Sequence, residues 1–103
     1  MKLRNLLSAA AAAMILAAAP ASAQQLSIAT GGTGGTYYPY GGGLAELITK
    51  YVDGSTAVAE VTGASVENMG LISRGDSDIA IGLADTVYAS FTGTGKFEDR
   101  KLD

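Results

Sequence analysis

A glycine-rich stretch early in the chain has the composition of an anion-binding turn. Residues 29–43 read ATGGTGGTYYPYGGG, in which Gly31, Gly32, Gly34 and Gly35 alternate with threonines. Such glycines leave main-chain N–H groups uncovered and permit positive φ angles at several positions. A helix that follows adds N–H groups without intrahelical partners at the positive end of its dipole. The stretch therefore predicts a site for a carboxylate, phosphate or sulfate group held mainly by main-chain donors.

Polar side chains in three predicted loops are candidates to complete this site. Hydroxyl, amide and aromatic groups there are suited to a small polar anion, and a carboxylate could pair with an ammonium group on the same ligand, as in an amino acid. Ser65 and Asp85 suit helix N-caps equally well. The predicted ligand-binding residues are Thr33, Gly34, Gly35, Thr36, Tyr37, Ser65, Asn68 and Asp85.

Catalytic and cofactor motifs fail on inspection. The chain has no histidine and no cysteine, which removes the usual general base near neutral pH and the thiolate metal ligand. A dinucleotide fingerprint read from Gly32 fails because Tyr37 takes the place of its last glycine, and the P-loop Gly-Lys-Ser/Thr triplet is absent from the sequence. We therefore predict a binding protein that is not an enzyme and uses no metal and no cofactor.

Apolar periodicity predicts three strands that alternate with three helices. The strands are predicted at residues 26–30, 57–62 and 78–83, each followed by a helix. This order is typical of an α/β fold in which a βαβαβ unit forms a parallel sheet. Because ligands of such sheets bind beyond the carboxyl ends of the strands, the three loops are expected to converge there.

The first helix has a predicted apolar stripe and a glycine-rich start. Residues at i, i+3, i+4 and i+7 predict one buried face. They are Leu44, Leu47, Ile48 and Tyr51. Pro39 suits the first helical position, where its missing N–H costs nothing. Glycines at 41–43 indicate either that side chains there would collide with a packed element or a ligand, or that the first turn frays.

The first 23 residues have the parts of a secretory signal peptide. Lys2 and Arg4 precede an apolar run over residues 6–19, and Ala-Ser-Ala ends at position 23. The run is shorter than the roughly 18 residues that a membrane span needs. We expect cleavage after Ala23 and a periplasmic product, residues 24–103, without membrane insertion. The negative net charge of −3 argues against nucleic acid as a partner.

Three segments resemble a known receptor family. They are GGTGGTYYPYGGGLAELI, VTGASVENMGLISRGDSDIAI and ADTVYASFTGTG, and in order and spacing they are similar to the TAXI family of TRAP transporter solute-binding receptors. The resemblance implies a two-lobed periplasmic-binding-protein type II fold that closes on a small organic anion or an amino acid such as glutamate. It further implies delivery to TRAP membrane permease subunits and uptake driven by an ion gradient. The family's binding residues would fall at the glycine turn, at Ser65 and Asn68, and at the end of the third strand.

The chain departs from that family in two respects. Leu83 stands where a polar glutamine is common, which leaves the ligand open. Full receptors of the family are longer and carry a second lobe, so residues 24–103 are expected to be a partial N-terminal lobe of a truncated form, marginally folded and weak in binding. The alternative from another class is the leading βαβ portion of an exported enzyme that binds a phosphate-bearing substrate at the glycine turn.

Overall fold

The computed structural model describes residues 22–102. The predicted signal peptide lies almost wholly outside these residues and stays a prediction. Strands and helices alternate along the described chain. Their bounds are β1 Gln24–Ala29, α1 Tyr37–Tyr51, β2 Ser55–Glu60, α2 Ser65–Arg74, β3 Ile79–Ala80 and α3 Ala84–Thr92, followed by a 3₁₀ turn at Gly95–Phe97.

The sheet is parallel, with β1 between its two neighbours in the order β2-β1-β3. β1 pairs along its whole length with β2, from Gln24 opposite Ser55 to Ala29 opposite Glu60. It pairs with β3 only at Ile28 and Ala29. The predicted α/β fold with a βαβαβ unit is confirmed, although β3 is shorter than the predicted strand at 78–83.

The central strand, β1, contributes completely buried residues to the core because it has neighbouring strands on both sides. Ile28, Ala29 and Thr30 are completely buried. Right-handed crossovers are the rule between parallel strands. The chain moves from β1 to β2 in one direction and from β2 back past β1 to β3 in the other, so α1 and α2 cover opposite faces. Within residues 22–102, none of the helices is both long enough and apolar enough to cross a bilayer.

Helix α1 packs on the sheet through its smallest residues. Gly41 and Ala45 are its buried positions. A Cβ atom at Gly41 would collide with the Cγ2 methyl of Thr30 and lie 3.6 Å from the Cβ of Ala59. The missing side chain therefore lets the helix approach β1 and β2 closely.

The predicted apolar face of α1 is wrong for its large residues. Leu44, Leu47 and Tyr51 are 37, 55 and 67% exposed, whereas Ile48 is half-buried. The helix is rotated so that its glycine and alanine meet the sheet, because close packing of the backbone displaces bulky side chains to the flank. An apolar groove of about 610 Å³ results, lined by Pro39, Tyr40, Gly43, Leu44, Leu47 and Ile81.

Alanine substitutions at two neighbouring glycines of α1 distinguish the effect of close packing on stability from the effect of helix propensity. We expect Gly41→Ala to destabilise the fold by about 1–3 kcal/mol, because the added methyl overpacks the contact with Thr30. Gly42→Ala is the matched control: nothing lies within 4 Å of a Cβ there, so we expect a gain of up to about 1 kcal/mol from helix propensity. Urea unfolding followed by circular dichroism measures both. Equal stability of the two variants would contradict the packing argument.

Candidate functional site

The three strand-to-helix loops meet in one cleft at the carboxyl end of the sheet. Its volume is about 280 Å³. The lining residues are Gly31, Gly32, Gly35, Thr36, Tyr37, Ala64, Ser65 and Leu83. None of these side chains carries a charge. The convergence predicted from the strand order is therefore present, and what the cleft offers a ligand is main-chain and hydroxyl groups.

The glycine-rich loop closes in a tight turn. The N–H of Gly35 donates to the carbonyl of Gly32 at 2.9 Å, with Thr33 and Gly34 at the exposed tip. Neither tip residue lines the cleft. The positive φ angles that these glycines permit are not used here, because none of the four glycines has one. A four-residue turn can close with negative φ at both central positions, as in type I, so glycine in this loop contributes open space instead.

Helix α1 begins at the cleft without a side-chain cap. Its N-cap residue, Thr36, has φ −74° and ψ −36° and makes no capping hydrogen bond. The first helical hydrogen bond runs from Tyr40 N–H to Thr36 O at 3.4 Å. The N–H groups of Thr36, Tyr37 and Tyr38 have no partner among residues 22–102. Pro39 is the third helical residue, not the first as predicted, and it still occupies a position where an N–H would have no intrahelical partner.

Helix α2 begins at the same cleft, also without a side-chain cap. The N-cap is Ala64, so Ser65 is the first helical residue and its predicted capping role is wrong. Ala64 has φ 69° and ψ −151°. Among residues 22–102 it is the one residue other than glycine with a positive φ. Within that same stretch, the N–H groups of Ser65, Val66 and Glu67 have no hydrogen-bond partner. The Glu67 carboxylate instead accepts from Gly63 N–H at 2.6 Å.

The Ser65 hydroxyl joins the three loops. Its oxygen accepts from the N–H of Leu83 at 3.1 Å and lies 3.2 Å from the Tyr37 hydroxyl. Ser65 is 8% exposed. The start of α1, the start of α2 and the end of β3 are thereby held in contact at the back of the cleft.

Asn68 lies beneath the cleft and is completely buried. Its amide nitrogen donates to the carbonyls of Thr30 and Ile81 at 2.6 and 2.7 Å, and its amide oxygen accepts from the Thr62 hydroxyl at 2.6 Å. With these groups engaged, the geometry gives Asn68 a structural position under the site. Direct contact of Asn68 with a ligand stays a prediction.

Asp85 lies in a neighbouring cleft. It is the second residue of α3, whose N-cap is Leu83, so the predicted N-cap role of Asp85 is wrong. Its Oδ1 accepts from Thr86 N–H at 2.6 Å. This second cleft, of about 420 Å³, shares Ser65 and Leu83 with the first and also includes Lys96. Leu83, 58% exposed, stands between the two.

Four of the predicted site residues line the first cleft, where the three strand-to-helix loops meet. They are Gly35, Thr36, Tyr37 and Ser65. Sequence reasoning missed the part played by Ala64 and Thr62. Nothing in the sequence marks Ala64, since alanine rarely adopts positive φ. Thr62 follows a predicted strand, and its position at a carboxyl end was a usable signal. Among residues 22–102 there is no group of three or more acidic, histidine or cysteine side chains placed to hold a metal.

The backbone at Ala64 gives a direct test of strain at the site. Its φ of 69° and ψ of −151° fall in a region that is essentially reserved for glycine. We expect Ala64→Gly to leave stability unchanged or raise it by up to about 2 kcal/mol, because relief of strain offsets the added chain entropy. Ala89→Gly, within α3, should cost about 1 kcal/mol. Thermal unfolding measures both, and a loss of stability at Ala64 as large as that at Ala89 would show that no strain is stored there.

Comparison with protein families adds to this geometry. Residues 28–103 match the model of the NMT1-like family. The matched range contains the glycine turn, the start of α2 and the end of β3, which together form the cleft. The family is periplasmic-binding-protein-like, and the three-stranded parallel sheet with helices on both faces agrees with such a fold. The chain therefore belongs to the NMT1-like family, whose members are typically extracytoplasmic solute-binding-type proteins that bind small ligands.

Proposed function

We propose that this chain is the solute-binding component of a TAXI-type TRAP transporter. In this role it holds a small organic anion or an amino acid such as glutamate in the periplasm and presents it to membrane permease subunits for ion-gradient-driven uptake. The proposed activity is binding without catalysis. The motif resemblance supports the transporter type, and the NMT1-like match supports the solute-binding class.

The observation that carries the proposal is the meeting of two uncapped helix starts at one cleft. The main-chain N–H groups of Thr36 to Tyr38 and of Ser65 to Glu67 are without partners in residues 22–102. Both helices direct the positive ends of their dipoles to the same region. Such a pair of helix N-termini favours an anion, and main-chain donors suit the oxygens of a carboxylate.

The size and lining of the cleft indicate the kind of anion. A volume of about 280 Å³ is at the lower limit of ligand pockets. Tyr37 and Leu83 supply its larger side chains, and no cationic side chain lines it. This arrangement fits a small carboxylate with a short aliphatic part.

An amino acid would use both clefts. With its carboxylate on the helix N-termini, its ammonium group would lie toward Leu83 and the second cleft, which Asp85 lines. Among residues 22–102 the Asp85 carboxylate accepts through Oδ1, from Thr86, and its Oδ2 would accept from the ligand. Asp85 therefore distinguishes ligands that carry an ammonium group from those that do not.

Removing one free N–H tests the main-chain site. Thr36 has φ −74°, which proline adopts without strain, and its side chain makes no hydrogen bond in the described chain. We expect Thr36→Pro to weaken binding of succinate or L-glutamate about 10- to 100-fold, because a hydrogen bond to a charged group contributes about 1.5–3 kcal/mol. Thr36→Ala keeps the N–H and is the matched control, with a smaller loss expected. NMR titration of the ¹⁵N-labelled chain measures affinity and shows which amides respond.

The same titration shows whether the ligand binds at the proposed site. In the wild-type chain, the amide signals of Thr36, Tyr37 and Ser65 should respond to the ligand. If they do not move with either anion, the site is not where we place it. Equal affinities of Thr36→Pro and Thr36→Ala would exclude the main-chain donor at that position.

Replacing Asp85 separates the two ligand classes. We expect Asp85→Asn to weaken the binding of L-glutamate about tenfold, because its ammonium group loses a charged partner. Succinate has no ammonium group, so its affinity should stay unchanged. The asparagine oxygen can still accept from Thr86 N–H, so α3 should stay intact. Calorimetric or NMR titration with both ligands measures the difference. An equal effect on the two would assign Asp85 to the start of α3 alone.

A further inference from the structure

The Asn68 side chain makes contact with all three strand ends that form the site. Its amide nitrogen donates to Thr30 O at 2.6 Å and to Ile81 O at 2.7 Å, with Ala29 O at 3.3 Å. These carbonyls follow β1 and β3. Its amide oxygen accepts from Thr62, which follows β2. One buried group on α2 thus connects the ends of β1, β2 and β3.

A second hydrogen bond extends this contact to the start of α2. The Thr62 hydroxyl donates to Asn68 and accepts from Ala64 N–H at 3.1 Å. Ala64 is the N-cap residue with φ 69°. The hydroxyl of Thr62 therefore holds the strained residue from which the free N–H groups of α2 follow.

The chemistry of the contact requires an amide. Two directed N–H donors and one acceptor on a single planar group match two strand carbonyls and one hydroxyl. A carboxylate at this place would oppose carbonyl oxygens with negative charge, and an apolar side chain would leave those carbonyls without a donor. The described side chain has no unpartnered polar atom left for a ligand.

We infer that Asn68 is a positioning residue of the binding site, acting through Thr62 and Ala64 to direct the N-terminal amides of α2 into the cleft. In this role Asn68 acts through the backbone without contact to the ligand, in place of the direct contact predicted from its motif. The inference rests on the proposed function for its effect on affinity, whereas its effect on backbone geometry is independent of any ligand.

Thr62→Val is the first test, because valine keeps the shape of threonine and removes the hydroxyl. We expect faster hydrogen exchange at the Ala64 amide and shifted amide signals at Ser65 and Val66. Thr56→Val on β2 is the matched control, since Thr56 is exposed and makes no side-chain hydrogen bond among residues 22–102. If the Ala64 amide hydrogen exchanges at the same rate in Thr62→Val as in the wild type, the inference is overturned.

Asn68→Asp adds a pH profile that a simple loss of packing would not produce. Burial against carbonyl oxygens raises the pKa of the introduced carboxyl above its unfolded value. Its neutral form can donate one hydrogen bond, so stability is best at low pH and is lost as pH rises through the folded-state pKa. Tyr37, bonded to Ser65, and Glu67, bonded to Gly63, are titratable groups next to the cluster, and both are the same in the wild type.

The control for charge is Gln25→Glu, at an exposed position on β1. Relative to this control, we expect the melting temperature of Asn68→Asp to fall by about 5 °C or more between pH 4 and pH 7. The full chain is used throughout. Parallel melting curves for the two variants at every pH would refute the role of Asn68.

Affinity for L-glutamate and succinate separates the positioning role of Asn68 from the proposed function. We expect Thr62→Val to bind about tenfold more weakly than the control Thr56→Val, which keeps the Thr62 hydroxyl and its hydrogen bonds. If the wild-type chain binds neither anion, the proposed function fails, and the Ala64 exchange and the pH profile still decide the positioning role. If the wild type binds and Thr62→Val binds equally well, the positioning role is wrong while the proposed function stands.

Discussion

The pairing of β1 with both β2 and β3 sets the position of every other part of this molecule. Parallel strands end at the same edge, so three loops and two helix starts must meet there. The same geometry directs strand-end carbonyls into a buried region under the loops. Each needs a donor, since an unpaired buried carbonyl costs about as much as a lost hydrogen bond. Asn68 supplies donors to carbonyls that follow two of the strands, which explains a completely buried polar side chain.

Satisfied and unsatisfied polar groups divide sharply between the two sides of the loops. Below them, buried side-chain polar atoms of the described chain all have partners. Above them, the N–H groups that open α1 and α2 have none in that part of the chain, and neither helix has a side-chain cap. Omitting a cap costs a helix about 1 kcal/mol. Under the proposed function, an anion supplies the acceptors for these N–H groups, and a side-chain cap at either helix start would block it.

Sequence reasoning succeeded where a signal depends on local order and failed where it depends on three-dimensional fit. Alternating strands and helices, and a glycine turn before α1, predicted the parallel α/β fold and the edge at which the cleft lies. The prediction of the buried face of α1 was wrong because it followed the large apolar residues Leu44 and Leu47. The contact with Thr30 instead requires a residue without a side chain, and Gly41 provides it. Ala64 could not be anticipated, because its positive φ is imposed by the turn after β2 and not by its own preference. Asn68 was identified as important from its motif, but its donors face inward.

Charge distribution separates the proposed anion site from sites built on arginine or lysine. The chain is acidic, with a net charge of −3, and Arg74 lies outside the cleft in an ion pair with Asp76 at 2.8 Å. A ligand of the same sign gains little from the field of the whole protein. Main-chain donors act over the short range of hydrogen bonds, where the direction of each N–H matters more than net charge. In the proposed site, recognition depends on the direction of the N–H groups at the starts of α1 and α2, and this direction depends on the contacts beneath the two helices. In the proposed site, the polar network under the loops therefore acts through the backbone that it holds, from Thr62 to Ala64.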